Sequence, residues 1–489
     1  MGKPSSKKRP DHSARVVPGL ERRVDLIVIR TLDSRSAADR GQGFRFGALP
    51  RASKAFMATL ANPITATTPA VREATPVVAV FPRNVAVDAY RGLVMLLMMA
   101  EVLELSRVSA AHPTSLFWKI LAYNQTHVEW FGSSLHDTIQ PGFSFLVGVA
   151  LPYSIASRMA KGARFADLFW HALWRSFVLV ALGVFLRSMD HSITYFTFED
   201  TLSQIGLGYP FLFLLGYYSS KAQTLKWVWT SLGCLLFAYW LAWAWYPAAP
   251  ANFDWQSVGV SPAWNIQHNF AGFAAHWNKN YNLGNRFDQW FLNLFPREHP
   301  FVYNEGGYLT LSFIPTLGTM ILGLIAGRWF CESRSGESRP SEARPLESRP
   351  TVPMNKLLIA GVSGIAVGLA LHYSHICPVV KRIWTPSWTI FSGGICFLFL
   401  AACSWVIEVK GFKKWAFPLV LVGMNSIAAY CIAHFLEGFL DRTLRIHLGP
   451  NFFRLAGAGL EPLFRGAVIL LCYWLILLWM YRRKLFLKI

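Results

Sequence analysis

Charge is sparse in this chain. Charged residues make up 15% of its 489 positions, against about 25% in ordinary soluble domains. So few solvated side chains cannot cover a chain that is 53% hydrophobic, which points to lipid as its main solvent. Negative charge is scarcer still: 27 Asp and Glu face 47 Lys and Arg, a formal net charge of +20. Cysteine is sparse too. Cys234, Cys331, Cys377, Cys396, Cys403, Cys431 and Cys472 lie mostly inside apolar runs and form no C-x-x-C pair, which argues against a disulfide framework or a cysteine-built zinc site. The first 80 residues lack an apolar run long enough to cross a bilayer, and lack a signal-peptide core followed by a small-residue cleavage site.

The basic excess follows topology rather than a nucleic-acid groove. Residues 1–56 hold thirteen Lys/Arg and five Asp/Glu, leaving +8 there, and most of the remainder lies in short loops between apolar runs. No nucleic-acid partner is expected from that pattern. Residues 1–84 read as a disordered, basic cytoplasmic tail, with Met57 an alternative start because nothing before it has an apolar core.

What the chain has in quantity is apolar runs near the spanning length of about 20 residues. Ten are read: about 90–107, 139–157, 169–187, 201–219, 226–245, 307–328, 354–373, 387–407, 415–437 and 463–481. With the N-terminus inside, Arg158, Lys161, Arg164, Lys221, Lys226, Lys410, Lys413, Lys414 and the Arg482–Lys484 tail all fall on the cytoplasmic side, as the positive-inside rule requires. Lys381/Arg382 and Arg442/Arg445 dissent. The expected fold is an all-α polytopic membrane protein with ten transmembrane helices and both termini cytoplasmic. Residues 85–328 form a first bundle with an outer loop at 246–306, and residues 354–489 a second. Between them, 329–353 read as a flexible linker, because 332–350 repeat Glu-Ser-Arg-Pro-like units without an apolar anchor. The outer loop is rich in Trp, Asn, His and Phe, and is expected to pack as a cap.

The chemistry gathers near residue 130, where His127, Glu129, Trp130, Gly132, His136 and Asp137 precede an apolar run. A histidine titrating near pH 6.5 suits proton transfer or nucleophilic attack near neutrality. Asp137 is expected to cap the following helix or to orient a neighbour. His127-x-Glu129 with His136-Asp137 matches no zinc spacing, so no metal is expected. Asp88 and Arg91, three apart, are expected to pair on the first helix. Glu101 lies ten residues beyond Arg91, or about 15 Å along a continuous helix. A charge at such depth costs about 2.5–3.5 kcal/mol on insertion scales, so Glu101 must find a cavity, a partner or a proton. Glu104 and Arg107 read as an interfacial pair continuing that face. Gly323 and Gly327 form a G-x-x-x-G, the usual sign of close helix packing. Asn425, inside an apolar segment, needs a polar partner.

These residues together resemble the family of the lysosomal heparan-α-glucosaminide N-acetyltransferase and its bacterial relatives. The resemblance runs through Asp88-Ala89-Tyr90-Arg91-Gly92, His127-x-x-Trp130-x-Gly132, Asp137, Pro141, Phe143, Phe145 and Gly148. It continues in Ile205–Tyr209, Ile314–Thr319, Gly327-Arg328-Trp329, Trp384–Ser387, Trp415–Pro418 and Gly423-Met424-Asn425, covering about residues 85–482. It implies a membrane acyltransferase with acetyl-CoA as cytosolic co-substrate, an amino-sugar-like acceptor on the outer side, and His127 as the catalytic histidine. Glu101 is expected to assist it, with Asp88, Arg91, Trp130, Asp137 and Asn425 supporting the site or binding substrate. A bacterial inner-membrane location and a homodimer follow from the same resemblance. The chain departs from it at Val102, where the lysosomal enzyme has a functional asparagine, and a carboxylate, Glu101, stands beside that position. The competing reading is a transporter or flippase for a polar lipid or sugar, with Glu101 and Asn425 lining its path.

Overall fold

A computed structural model describes residues 84–335, 352–449 and 451–487. In chain order its α-helices are α1 (Val85–Met99), α2 (Leu105–Ala111), α3 (Leu116–Gln125), α4 (Ile139–Met159) and α5 (Phe165–Arg187). They continue with α6 (Thr201–Ala222), α7 (Lys226–Trp245), α8 (Pro262–His268), α9 (Leu283–Phe291) and α10 (Phe313–Ser335). The last are α11 (Met354–Tyr373), α12 (Pro386–Ser404), α13 (Phe417–Met424), α14 (Ser426–Leu448) and α15 (Glu461–Arg482). Among the described residues there is no strand beyond an isolated antiparallel bridge between Phe131 and Val380. Helix is the expected outcome for apolar runs in lipid, where each backbone N–H and C=O must be satisfied within its own segment.

Among the described residues, seven helical segments are long and apolar enough to cross a membrane, or eight if α13 and α14, bent by 72° at their junction, count as one broken span. They coincide with eight of the ten expected runs. Helices α1 and α6 stand outside that set and bring Asp88, Arg91, Ser203 and Gln204 into the bundle. The first expected run is not one helix. Helix α1 ends at Met99, a 3-10 turn covers Ala100–Leu103, and Glu104 takes a left-handed conformation (φ 45°) that redirects the chain into α2. The Gln125 side chain bridges this break, accepting from Leu105 N at 2.7 Å and donating to Ala100 O at 2.6 Å. Glu104 and Arg107 do pair, at 2.8 Å, and Arg465 of α15 joins Glu104 at 3.0 Å. The expected face running from Glu101 through Arg107 is therefore interrupted at Glu104.

One hydrophobic core runs through helices from both halves of the chain, from Met95 and Phe145 to Phe397, Leu421 and Tyr473. Helix α10 continues to Ser335, so residues 329–335 of the expected linker are helical; the repeat beyond them and the basic tail lie outside the described residues. Helices α4 and α10 meet at their glycines. A Cβ on Gly148 would sit 1.9 Å from Met320 O, and one on Gly323 would sit 1.9 Å from Phe145 O. Small residues here let the backbones touch, which is how helices associate where lipid removes the hydrophobic drive. Gly323→Leu is therefore expected to lower the melting midpoint of the detergent-solubilised protein, by about 1–3 kcal/mol or more of over-packing. Gly233→Leu, where a Cβ meets open space, is the matched control expected to leave the midpoint unchanged.

The outer loop packs as short helical pieces over the bundle. Trp277 and Trp243 are fully buried with Trp130 in a second apolar cluster. Asn278, Asn280, Asn282 and Asn285 tie the loop to itself through side-chain bonds to backbone groups.

Candidate active site

The site is assembled where the stretch before α4 meets the turn before α12. Asp137, fully buried, accepts from Ser134 N at 3.0 Å, Ser134 Oγ at 3.0 Å and Val128 N at 3.3 Å, all through Oδ2. Its other oxygen lies 2.8 Å from His127 Nδ1. An ionised carboxylate only accepts, so Nδ1 carries the proton and Nε2 keeps its lone pair. Asp137, expected to cap α4 or to orient a neighbour, is not the α4 N-cap, which is Thr138; its contact is with His127.

The second strand of the site comes from 254 residues away. Gly132 N donates to Val379 O at 3.2 Å, and Arg382 donates to Val128 O and, at 2.9 Å, to Gly306 O. Thr385 and Ser387 both donate to Pro378 O, at 2.8 and 2.7 Å, folding the 378–385 turn back on itself. This zipper sets Lys381, only 4% exposed, against His127: Nζ is 3.1 Å from Nδ1, 3.4 Å from Nε2 and 3.6 Å from Asp137 Oδ1. Burial pulls the Lys381 ammonium down to about 8, with Asp137 opposing. Burial also pushes the His127 imidazole below its ordinary value; the Asp137 hydrogen bond opposes that shift and the Lys381 charge adds to it. At neutral pH the ring is therefore a free base.

His136 points away from Asp137, as adjacent residues on a helical turn do, and its Nε2 meets Glu101 Oε1 at 3.2 Å. The two imidazoles stack obliquely with centroids 4.5 Å apart. Glu101 thus has both a partner and a cavity. Its side chain is 57% exposed, beyond the end of α1 rather than at mid-helix depth. The cavity has a volume of about 520 Å³, and Glu101, His127, Lys381, Glu199, Arg187 and Glu437 line it. On its far side Asp200 caps α6, accepts from Tyr430 Oη at 2.8 Å and pairs with Arg187 at 3.4 Å.

A second cavity, of about 610 Å³, lies toward the other end of α4. Arg91, Arg158 and Arg175 line it, together with the α13–α14 junction and Phe486 and Leu487. Arg175 stacks on Tyr209 at 4.6 Å and leaves its Nε buried without a partner. Phe143 lines both cavities. From Asp137 to Arg158 along this segment is about 30 Å at helical rise, close to a hydrocarbon core.

Other candidates fall elsewhere. Asp88 and Arg91 pair at 3.3 Å, with Arg91 facing the second cavity and not His127. Trp130 is fully buried and donates to Trp277 O at 3.2 Å, so it braces the outer loop rather than lining the cavity. Asn425 is not beside His127 either. Its amide donates to Leu485 O at 2.8 Å and accepts from Leu487 N at 2.9 Å, latching the C-terminal segment against the second cavity. Among the described residues no group of three His, Cys, Asp or Glu is placed to hold a metal. Sequence reading missed Lys381, Arg187, Glu199, Tyr308 and Glu437. For Lys381 a signal existed, since it broke the positive-inside pattern.

Fold and site define a helical membrane protein in which a buried carboxylate and a buried lysine hold a histidine at the edge of a polar cavity. The chain is 22% identical over 430 residues to heparan-alpha-glucosaminide N-acetyltransferase from Mus musculus, covering 82% of this chain and 60% of that protein. It is 21% identical over 437 residues to the Homo sapiens protein of the same name, covering 83% and 60%. These matches make the chain a distant relative of the heparan-alpha-glucosaminide N-acetyltransferases. It spans about 60% of the length of the curated relatives it matches. No family model matches the chain.

Proposed function

We propose that this protein is a membrane-embedded acyltransferase. It moves an acetyl or similar acyl group from acyl-CoA on the cytoplasmic side to an amino-sugar-like acceptor on the outer side, with His127 as base. The observation that carries this reading is the pair of cavities along α4 that share Phe143, one lined by three arginines and the other by His127. Guanidinium forks suit the phosphates of CoA, and the unpartnered Arg175 Nε is a donor awaiting an anion. The carboxylates Glu101, Glu199 and Glu437 suit a hydroxylated, amine-bearing acceptor. In this reading α1 and α6 also cross the bilayer, making ten spans with both termini cytoplasmic, and α4 joins the two half-sites.

In direct transfer the acceptor nitrogen attacks the thioester carbonyl carbon. Its proton passes to His127 Nε2, the C–S bond breaks, and the leaving thiolate takes that proton to give CoA and an amide. Donor and acceptor enter by separate cavities, which favours a ternary complex. An acyl group trapped on His127 in the absence of acceptor would replace this route with a covalent one. The transport reading needs Glu101 and Asn425 on one path, and Asn425 is occupied by the C-terminal segment.

The test is CoA release from acetyl-CoA by purified protein with glucosamine and a panel of amino sugars. Release that depends on acceptor supports the reading; ion-coupled sugar flux without acetyl-CoA consumption refutes it. Arg158→Ala and Arg175→Ala are each expected to raise the KM for acetyl-CoA by about 10- to 100-fold, the value of a charge-assisted bond, without raising the KM for the amino sugar.

A further inference from the structure

We infer that Lys381 is a second catalytic residue, whose ammonium, 3.4 Å from His127 Nε2 and held beside Asp137, donates a hydrogen bond to the thioester carbonyl oxygen as it becomes an oxyanion. The inference rests on the acyltransferase reading of the same site.

The geometry is that of a donor beside the working base. A carbonyl carbon attacked by an amine that is giving its proton to Nε2 must lie close to that nitrogen, and its oxygen then comes within reach of Nζ. As the N–C bond forms, the carbonyl π pair moves onto oxygen. The Lys381 N–H donates to that oxyanion without transferring its proton, and the pair returns when the C–S bond breaks. Several polar groups nearby are already engaged, Ser134 and the Val128 N–H with Asp137 and His136 with Glu101, while the Tyr308 hydroxyl also lines the cavity. Val102, which also lines the cavity, has no donor to offer. The position of Lys381 is fixed on every side. Asp137 and His127 face it from the stretch before α4, Tyr308 puts its ring 5.5 Å from Nζ, Arg382 adjoins it, and Glu101 acts on it from across the cavity. Asp137 supplies the counter-charge that lets this cation stay buried beside His127.

The wild-type pH profile gives the first readout. Burial places the Lys381 ammonium at about 8, while it pushes His127 down and Tyr308 up. Transfer should therefore fall as the pH rises through about 8, when the donor loses its charge. Lys381→Arg, whose guanidinium does not titrate in this range, should abolish that basic limb while keeping measurable turnover. Lys381→Gln should lower kcat by about 100- to 1,000-fold, the loss of one oxyanion donor, with the KM for acetyl-CoA unchanged. Its residual activity should have an acid limb moved upward, because a cation beside His127 is gone. Wild-type kcat in Lys381→Gln, or a basic limb near 8 that persists in Lys381→Arg, would overturn the assignment. If Lys381→Gln does not fold, as read by its melting curve, the arginine profile decides alone. A wild-type protein that transfers nothing from acetyl-CoA would refute the acyltransferase reading instead.

Discussion

The His127→Ala variant should fold, bind acetyl-CoA and transfer almost nothing. Removing a positioned base typically lowers kcat by about 100- to 10,000-fold. His127 lies outside the spanning helices and its side chain is 35% exposed, so its loss opens no hole in the hydrophobic core. Asp137 keeps its bonds from Ser134 and Val128, and Lys381 keeps its counter-ion. The melting midpoint should therefore stay near that of the wild type, with the KM for acetyl-CoA unchanged, since the arginine cavity is untouched. The measurement is a paired one: CoA release and thermal midpoint on the same preparation. Turnover near the wild-type rate would remove His127 from the mechanism.

Asp137→Ala is expected to be the more damaging change, because one carboxylate serves two needs. It fixes the tautomer of His127 and neutralises the buried Lys381 ammonium. Breaking a buried pair by removing one partner costs about 3–5 kcal/mol, since the remaining charge stays buried and alone. The Ser134 and Val128 donors also lose their acceptor. Asp137→Ala should thus be lost in the membrane or melt far below the wild type. Asp137→Asn removes the negative charge without opening a hole, so both the fixed tautomer and the Lys381 counter-charge are lost while the packing stays. It keeps the shape and an acceptor oxygen while letting the imidazole turn to the wrong tautomer, a change worth about 10⁴ in kcat in Ser-His-Asp hydrolases. A folded Asp137→Asn with full activity would show that Asp137 is structural alone.

The part of the site visible in the sequence is the part that is local. His127, His136 and Asp137 fall within ten residues, so spacing and side-chain chemistry suffice to group them, while Ser134 between them enters only through its bonds to Asp137. Lys381 joins them only through the 378–385 turn and its zipper to 128–132, contacts that no periodicity encodes. Its trace was a pair of bases on the wrong side of a topology rule, which reads as an exception until the partner carboxylate is placed beside it. The need of Glu101 for a cavity, a partner or a proton follows from a depth reckoned along a continuous helix. The left-handed Glu104, with no glycine to announce it, ends that helix early. Asn425 needs a polar partner, and its partners are backbone groups of the C-terminal segment, met where α13 and α14 break. Apolar runs were the most readable feature. The α1 and α6 runs were the least readable, α1 because it ends after 15 residues and α6 because polar Ser203 and Gln204 interrupt its apolar run.

The claim that a donor on one face serves an acceptor on the other is tested most directly in sealed vesicles. Protein is reconstituted around trapped glucosamine or the best acceptor from the panel, labelled acetyl-CoA is added outside only, and the lumen is assayed for N-acetylated product. The account predicts labelled product inside, absent with His127→Ala, while acetyl-CoA itself stays outside. Product formed only in the outer compartment, or acetyl-CoA consumed with no luminal product, would contradict it.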